Sequence, residues 1–155
     1  MYTIDLIQTE NNFAKMQQEW NALLRDSVSA SVFTTWDWLF SWWQTFKGSH
    51  QLFILKASDK DGRLVGLAPF FIKKIHCGIR ILSFIGSDSS VASDYLDIIV
   101  HRDVGMSLRK ELFQYIFEQR KEWHLIVLSN LMPGSPTVEA LKLIREVREL
   151  AYEEQ

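Results

Sequence analysis

Three carboxylates and four hydroxyls crowd residues 87–97: Asp88, Asp94 and Asp97 with Ser87, Ser89, Ser90 and Ser93, followed closely by Tyr95. A carboxylate held beside a sheet can take a proton from a substrate amine, so this stretch is a candidate for substrate contact at Asp88, Asp94, Tyr95 and Asp97. Alternatively it is a solvated loop of Asx and Ser turns, with Asp97 facing water because it alternates with Leu96 and Ile98. A second concentration is aromatic: four of the six Trp lie between positions 36 and 43. On a helix, Trp36, Leu39, Phe40 and Trp43 share one face, and Trp38 and Trp42 lie on the adjacent face. The apolar arc is close to ~200°, against the stripe of ~100° that an ordinary surface helix needs. Such a helix wants two neighbours. It is either core, or the aromatic wall of a ligand groove at Trp38 and Trp42, or a patch that meets a partner.

Other chemistry is thin. His50, His76, His101 and His124 form no i, i+4 pair and have no Cys or Asp set at ligand spacing, so no metal site is expected. Cys77, the single cysteine, sits in a turn with no marked base, which also excludes a disulfide framework. GxSxG, P-loop and dinucleotide fingerprints are missing, and no catalytic residue is assigned.

The elements that must position these groups come from 155 residues, 47% of them hydrophobic. One domain of this size buries roughly 70% of its unfolded surface without staples. Seventeen basic and nineteen acidic residues give a net charge of −2, which excludes a polybasic nucleic-acid binder. The longest apolar window, 64–72, contains Gly66 and Pro69 and is too short to span a bilayer. With no export signal at the N-terminus, a cytoplasmic location is expected.

Residues 2–8 are β-compatible. Phe13, Met16, Trp20, Leu23 and Leu24 predict one helix to about Arg25, capped by Asn11 or Asn12. A second helix follows over 35–46. Then the period changes: strands at 52–57 and 64–72 flank the turn Asp59-Lys60-Asp61-Gly62, with Pro69 marking a bulge or an edge. Further strands are expected at 79–85 and 95–100. A helix over 104–121 leads to a nearly continuous apolar, hence buried, strand at 123–129. Ser135 as N-cap and Pro136 at N1 open a last helix. The order predicts an α+β fold: an antiparallel meander leading into a parallel βαβ unit, with helices on both faces of a mixed sheet.

An ordered set of short motifs runs through this plan: Trp20-x-x-Leu23-Leu24, Ser31-Val32-Phe33, Trp38-Leu39-x-x-Trp42, Gly62-x-Leu64-Val65-Gly66-Leu67-Ala68-Pro69, Leu82-x-Phe84-Ile85-Gly86 and Ser93-Asp94-Tyr95-Leu96-Asp97. It resembles the N-terminal part of the CelD-like acetyltransferases of the GNAT superfamily, which are associated with cellulose or exopolysaccharide biosynthesis. The resemblance implies a GNAT-like fold and two such halves in tandem, similar to the FemX-type aminoacyltransferases. It implies acyl transfer from acetyl-CoA or another acyl-CoA to an amine on a small molecule or saccharide. The second half usually carries the cofactor. This chain resembles the first half and stops before the closing β-hairpin of a GNAT unit, so it is expected to be that half, a truncated fragment or a stand-alone degenerate relative, with a second GNAT half or its own copy (a homo-oligomer) as partner.

In GNAT domains the pyrophosphate lies where a strand feeds a helix, on the pattern [Q/R]-x-x-G-x-[G/A]. The matching stretch is Arg102-Asp103-Val104-Gly105-Met106-Ser107, which makes Arg102, Gly105 and Ser107 the implied cofactor contacts. Small residues there let backbone N–H groups reach phosphate. Ser107 departs from the pattern, and Asp103 adds a like charge. The expected function is an acyltransferase half that shapes the acceptor groove; alternatively, the chain is an interaction or dimerisation module whose cofactor site has degenerated.

Overall fold

Thr9 opens the first helix, α1 (Glu10–Ala14): its hydroxyl accepts the Asn12 N–H at 3.3 Å, so the cap precedes Asn11 and Asn12. The helix predicted through residue 25 is in fact two, α1 and α2 (Gln17–Arg25). The chain tightens between them, with the Met16 N–H bonded to Phe13 O, and this turn keeps Phe13, Met16 and Trp20 buried together. A short 3-10 turn at Val32–Thr34 leads into α3 (Trp36–Phe46), where the Thr35 hydroxyl accepts the Trp38 N–H. The structure is a computed structural model; it describes residues 1–87, 91 and 93–148, with the side chains of 145–148 excepted.

Strand β1 (Thr3–Ile7) runs antiparallel to β2 (Gln51–Ser58), which forms the expected hairpin with β3 (Leu64–Lys74). Asp59 holds the turn by accepting the N–H groups of Asp61 and Arg63. One edge of β3 is shared by two strands in succession. β4 (Arg80–Phe84) pairs with Phe70 to Lys74, and β5 (Ile99–Val100) pairs with Gly66 and Leu67. β4 and β5 thus lie end to end along β3, separated by an excursion, residues 85–98. The strand predicted over 95–100 is reduced to its last two residues, because Leu96 and Asp97 find partners outside the sheet.

Pro69 sits at the interruption. The Ile85 N–H donates to Pro69 O at 2.9 Å, so this side of Pro69 faces the gap between β4 and β5. A missing N–H costs no ladder bond there. Neither bulge nor edge is needed at Pro69; the sheet's irregularity lies at Ala57/Ser58.

After α4 (Gly105–Glu118) the chain returns as β6 (Leu125–Val127), parallel to β4, and α5 (Pro136–Arg148) follows. The order across the sheet is β1-β2-β3-β4-β6. The βαβ unit is therefore present, with β4 as the strand that pairs. β6 was expected to be buried, yet Leu125 is 50% and Val127 41% exposed, since among the described residues β6 has a neighbour on one side only. Helices cover both faces. A Cβ at Gly66 would come within 2.7 Å of Leu108 Cδ2 on α4, while Phe71, one register step away in parity, packs on Trp42 of α3. The fold class is the α+β mixed sheet that the sequence predicts.

Candidate functional site

The aromatic helix meets three neighbours of its own chain. Trp36 stacks on Phe40, with centroids 4.4 Å apart, and both contact Phe13 of α1. Trp42 lies buried on Phe71 of the sheet. Trp38 packs edge-on against Phe33 and donates its indole N–H to Ser93 Oγ at 2.8 Å. The wide apolar arc is thus satisfied internally, and no outside partner is needed to explain it. Trp42 is core. Trp38, half-buried, is the member of the pair that reaches the 85–98 excursion.

The carboxylates of that excursion separate. Asp88 lies outside the described residues. Asp94 is exposed, and Tyr95 is 49% exposed with φ 56°. Asp97, read either as a substrate contact or as a residue facing water, is 6% exposed. It accepts from the Ser135 hydroxyl at 2.8 Å, from the Thr137 hydroxyl, and from the Ile98 N–H at 2.7 Å. Ser135 Oγ in turn accepts the Thr137 N–H as the N-cap of α5. The Asp97 carboxylate is consumed in joining the excursion to α5, which leaves Trp38, Asp94 and Tyr95, among the described residues, as the predicted contacts that reach the surface.

Beneath this junction lies Arg109 of α4, 2% exposed, which sequence reasoning passed over. Its Nη2 reaches Ser29 Oγ at 3.3 Å and Ile98 O at 3.5 Å, and its Nε has no hydrogen-bond partner. Burial pulls the guanidinium below its usual pKa, and the charge of Asp97 opposes that shift. The available signal was a charge one residue after Leu108 and three before Leu112, on the apolar side of α4.

The loop that feeds α4 is closed by its own chain. Arg102 N–H donates to Asp26 O at 3.0 Å, Asp103 N–H to His101 Nδ1 at 3.3 Å, and the Val104 and Gly105 N–H groups to His101 O at 3.1 and 3.3 Å. The Arg102 side chain bonds the carbonyls of Asp26 and Arg25, at 3.2 and 3.3 Å. Ser107 turns its hydroxyl back onto Val104 O. His101 is buried beside Arg63, whose Nη2 lies 3.0 Å from its Nε2. Gly105 has the left-handed φ of 43° at the start of α4. A phosphate cradle requires N–H groups and a cation aimed outward. Here the N–H groups of residues 102–105 are bonded to the chain itself, and the exposed Arg102 guanidinium spends two of its donors on the carbonyls of Arg25 and Asp26, an arrangement that does not fit an outward-facing phosphate cradle at these N–H groups.

Among the described residues no group of three or more His, Cys, Asp or Glu is placed to hold a metal ion. No helix there is long and apolar enough to cross a membrane.

No protein-family model matches the chain, and no curated protein matches it. Solved structures do. Glucosamine-6-phosphate N-acetyltransferase from Arabidopsis thaliana superposes with a TM-score of 0.56 at 14% identity, covering 100% of this chain and 95% of its own. An aminoglycoside antibiotic 6'-N-acetyltransferase from Acinetobacter baumannii gives 0.53 at 10% identity over 100% and 94%. An aminoglycoside acetyltransferase from an uncultured soil metagenomic sample gives 0.51 at 16% over 99% and 97%. At such identities the likeness concerns architecture: this chain has the fold of the GNAT acetyltransferases.

Proposed function

We propose that this chain is an acyl-CoA N-acyltransferase-type domain that serves the acceptor side of the reaction and leaves the acyl-CoA to a second GNAT half, in the tandem manner of the CelD-like and FemX-type proteins. One observation carries the division of labour: the loop at 101–105 spends its N–H groups and Arg102 on its own chain. The acceptor is an amine on a small molecule or saccharide. Asp94 and Tyr95, exposed beside the half-buried Trp38, offer a carboxylate, a phenol and an indole face to such a group. A cytoplasmic location and a link to polysaccharide synthesis go with this reading through the CelD-like resemblance.

Isothermal calorimetry of acetyl-CoA with the chain tests it. The expected result is no heat of binding at concentrations of about 100 μM, a range in which a functional cofactor site saturates. Micromolar binding that Arg102→Ala abolishes overturns the division of labour and makes the chain a cofactor-binding acetyltransferase.

A second reading, an interaction module pairing with another copy, is favoured by the exposed Leu125 and Val127 on the one-sided strand β6. Light scattering separates the two: a dimer converted to monomer by Val127→Lys supports pairing at β6, and a monomer at every concentration rejects it.

A further inference from the structure

His101 is fixed by its backbone, while its ring has a choice of partners. The His101 N–H donates to Val65 O at 2.9 Å, and its carbonyl accepts the Val104 and Gly105 N–H groups. A β-bridge also pairs it with Ser27. The residue is thus buried where the end of α2, the start of β3 and the loop that feeds α4 meet.

Both ring nitrogens face donors. The Asp103 N–H lies 3.3 Å from Nδ1, and Arg63 Nη2 lies 3.0 Å from Nε2. A neutral imidazole accepts at one nitrogen only, because the other carries its proton. The two contacts are therefore hydrogen bonds of alternative tautomers, and an imidazolium can accept neither. Each nitrogen also has a carboxylate nearby. Asp103 Oδ2 is 3.6 Å from Nδ1, and Asp26 Oδ2 is 4.0 Å from Nε2. Both aspartates are exposed enough to swing, with side chains 80% and 51% accessible, so a small rotation closes either gap to an N–H of the imidazolium.

The surrounding charges permit such an exchange. Among the described residues, the charged groups against the ring are Arg63, Asp26 and Asp103. Arg63 already stands 3.6 Å from Asp26 Oδ2 and can leave the ring for that carboxylate and water. Its backbone stays in place, because Asp59 accepts the Arg63 N–H. The other guanidinium groups nearby are turned elsewhere: Arg102 to the carbonyls of Arg25 and Asp26, and Arg109 of α4 to Ser29 and Ile98.

We propose that His101 is a proton-operated switch at the head of α4. Neutral, its ring accepts from Arg63 or from the Asp103 N–H. Protonated, it donates to the carboxylates of Asp26 and Asp103 and releases both Arg63 and the Asp103 N–H. Proton uptake from solvent thus removes one hydrogen bond of the loop at 101–105, while Val104 and Gly105 stay on the His101 carbonyl. The switch rests on the contacts of this ring and not on the acyltransferase-type reading.

Nitrogen-15 NMR of the whole chain between about pH 8 and about pH 5, the range in which imidazoles take up a proton, tests it. The His101 ring nitrogens are expected to titrate, and the Asp103 amide to shift with the same midpoint, while the Val104 and Gly105 amides hold still. Arg63→Ala removes the cation that opposes the imidazolium and is expected to raise the proton affinity of the ring about threefold. Asp26→Asn is expected to lower it about threefold. A ring that takes up no proton above about pH 5, or an Asp103 amide that ignores a titrating ring, overturns the switch. So does a joint shift of the Asp103, Val104 and Gly105 amides, which signals opening of the whole loop. A midpoint that Arg63→Ala leaves in place or lowers overturns the exchange of partners, and Asp26→Asn supplies that comparison should Arg63→Ala not fold.

Discussion

Arg102 shows how a residue in the right place for one task can be committed to another. Its guanidinium fastens the carbonyls of Arg25 and Asp26, so it holds α2 to the head of α4. Arg102→Ala is expected to lower stability by about 1 kcal/mol, the scale of hydrogen bonds from a charged but solvent-accessible donor, read from denaturant midpoints. Glu10 makes the corresponding tie between α1 and α3. Its carboxylate accepts from Lys47 Nζ at 2.6 Å and Gln44 Nε2 at 2.7 Å. The Lys47 hydrogen bond is the main cause that lowers its pKa below 4.5. A lowered folded pKa gives stability that is present above 4.5 and lost as pH falls through the folded value. Wild type is thus expected to exceed Glu10→Gln slightly at neutral pH, and the margin to close in thermal melts taken progressively below pH 4.5. The effect is small because the pair is open to solvent.

Among the elements, α4 and β3 approach closely because Gly66 has no side chain. Its missing Cβ would meet Leu108 Cδ2 at 2.7 Å and Ala57 Cβ at 3.3 Å. Gly66→Ala is expected to destabilise by about 1–3 kcal/mol through overpacking. Combined with Leu108→Val the loss is expected to be smaller than the sum of the single changes, a coupling that a double-mutant cycle in urea measures. The excursion depends likewise on α3. Trp38→Phe keeps the ring contact with Phe33 and removes the bond to Ser93, at an expected cost of about 1 kcal/mol and with faster amide exchange at Ser93. The aromatic helix and the hairpin were legible in the sequence, since helical spacing and the Asp59–Gly62 turn are local signals. The kink between α1 and α2 was not, because periodicity runs through a single tightened turn without losing its face.

At the scale of the molecule, Asp97 and Arg109 form the polar centre where α4, α5 and the excursion meet. Removing the acceptor of several buried donors costs more than replacing a poorly paired charge by an apolar chain. Asp97→Ala, which leaves the Ser135 and Thr137 hydroxyls and the Ile98 N–H without their buried acceptor, is expected to cost about 3 kcal/mol. Arg109→Met, which removes a cation whose Nε has no partner, is expected to cost less than about half of that. Chemical denaturation of both variants orders them, and the reverse order would show that Arg109 carries the junction.

What the sequence by itself determined is the order and kind of elements: the helices, the β2–β3 hairpin, the cap at Ser135 and the α+β order of an antiparallel meander leading into a βαβ unit. Each follows from neighbours within a few residues, where spacing, capping and turn chemistry act. Only the tertiary structure decided what the chemistry-bearing residues do. Asp97 alternates like a surface residue yet is buried by hydroxyls some forty positions onward. Arg102 heads a loop that matches a phosphate pattern yet lies along the surface on the carbonyls of Arg25 and Asp26. Hydrogen-bond partners brought together by chain closure decide whether a polar group is offered to a ligand or spent inside, and sequence spacing carries no record of such distant pairings.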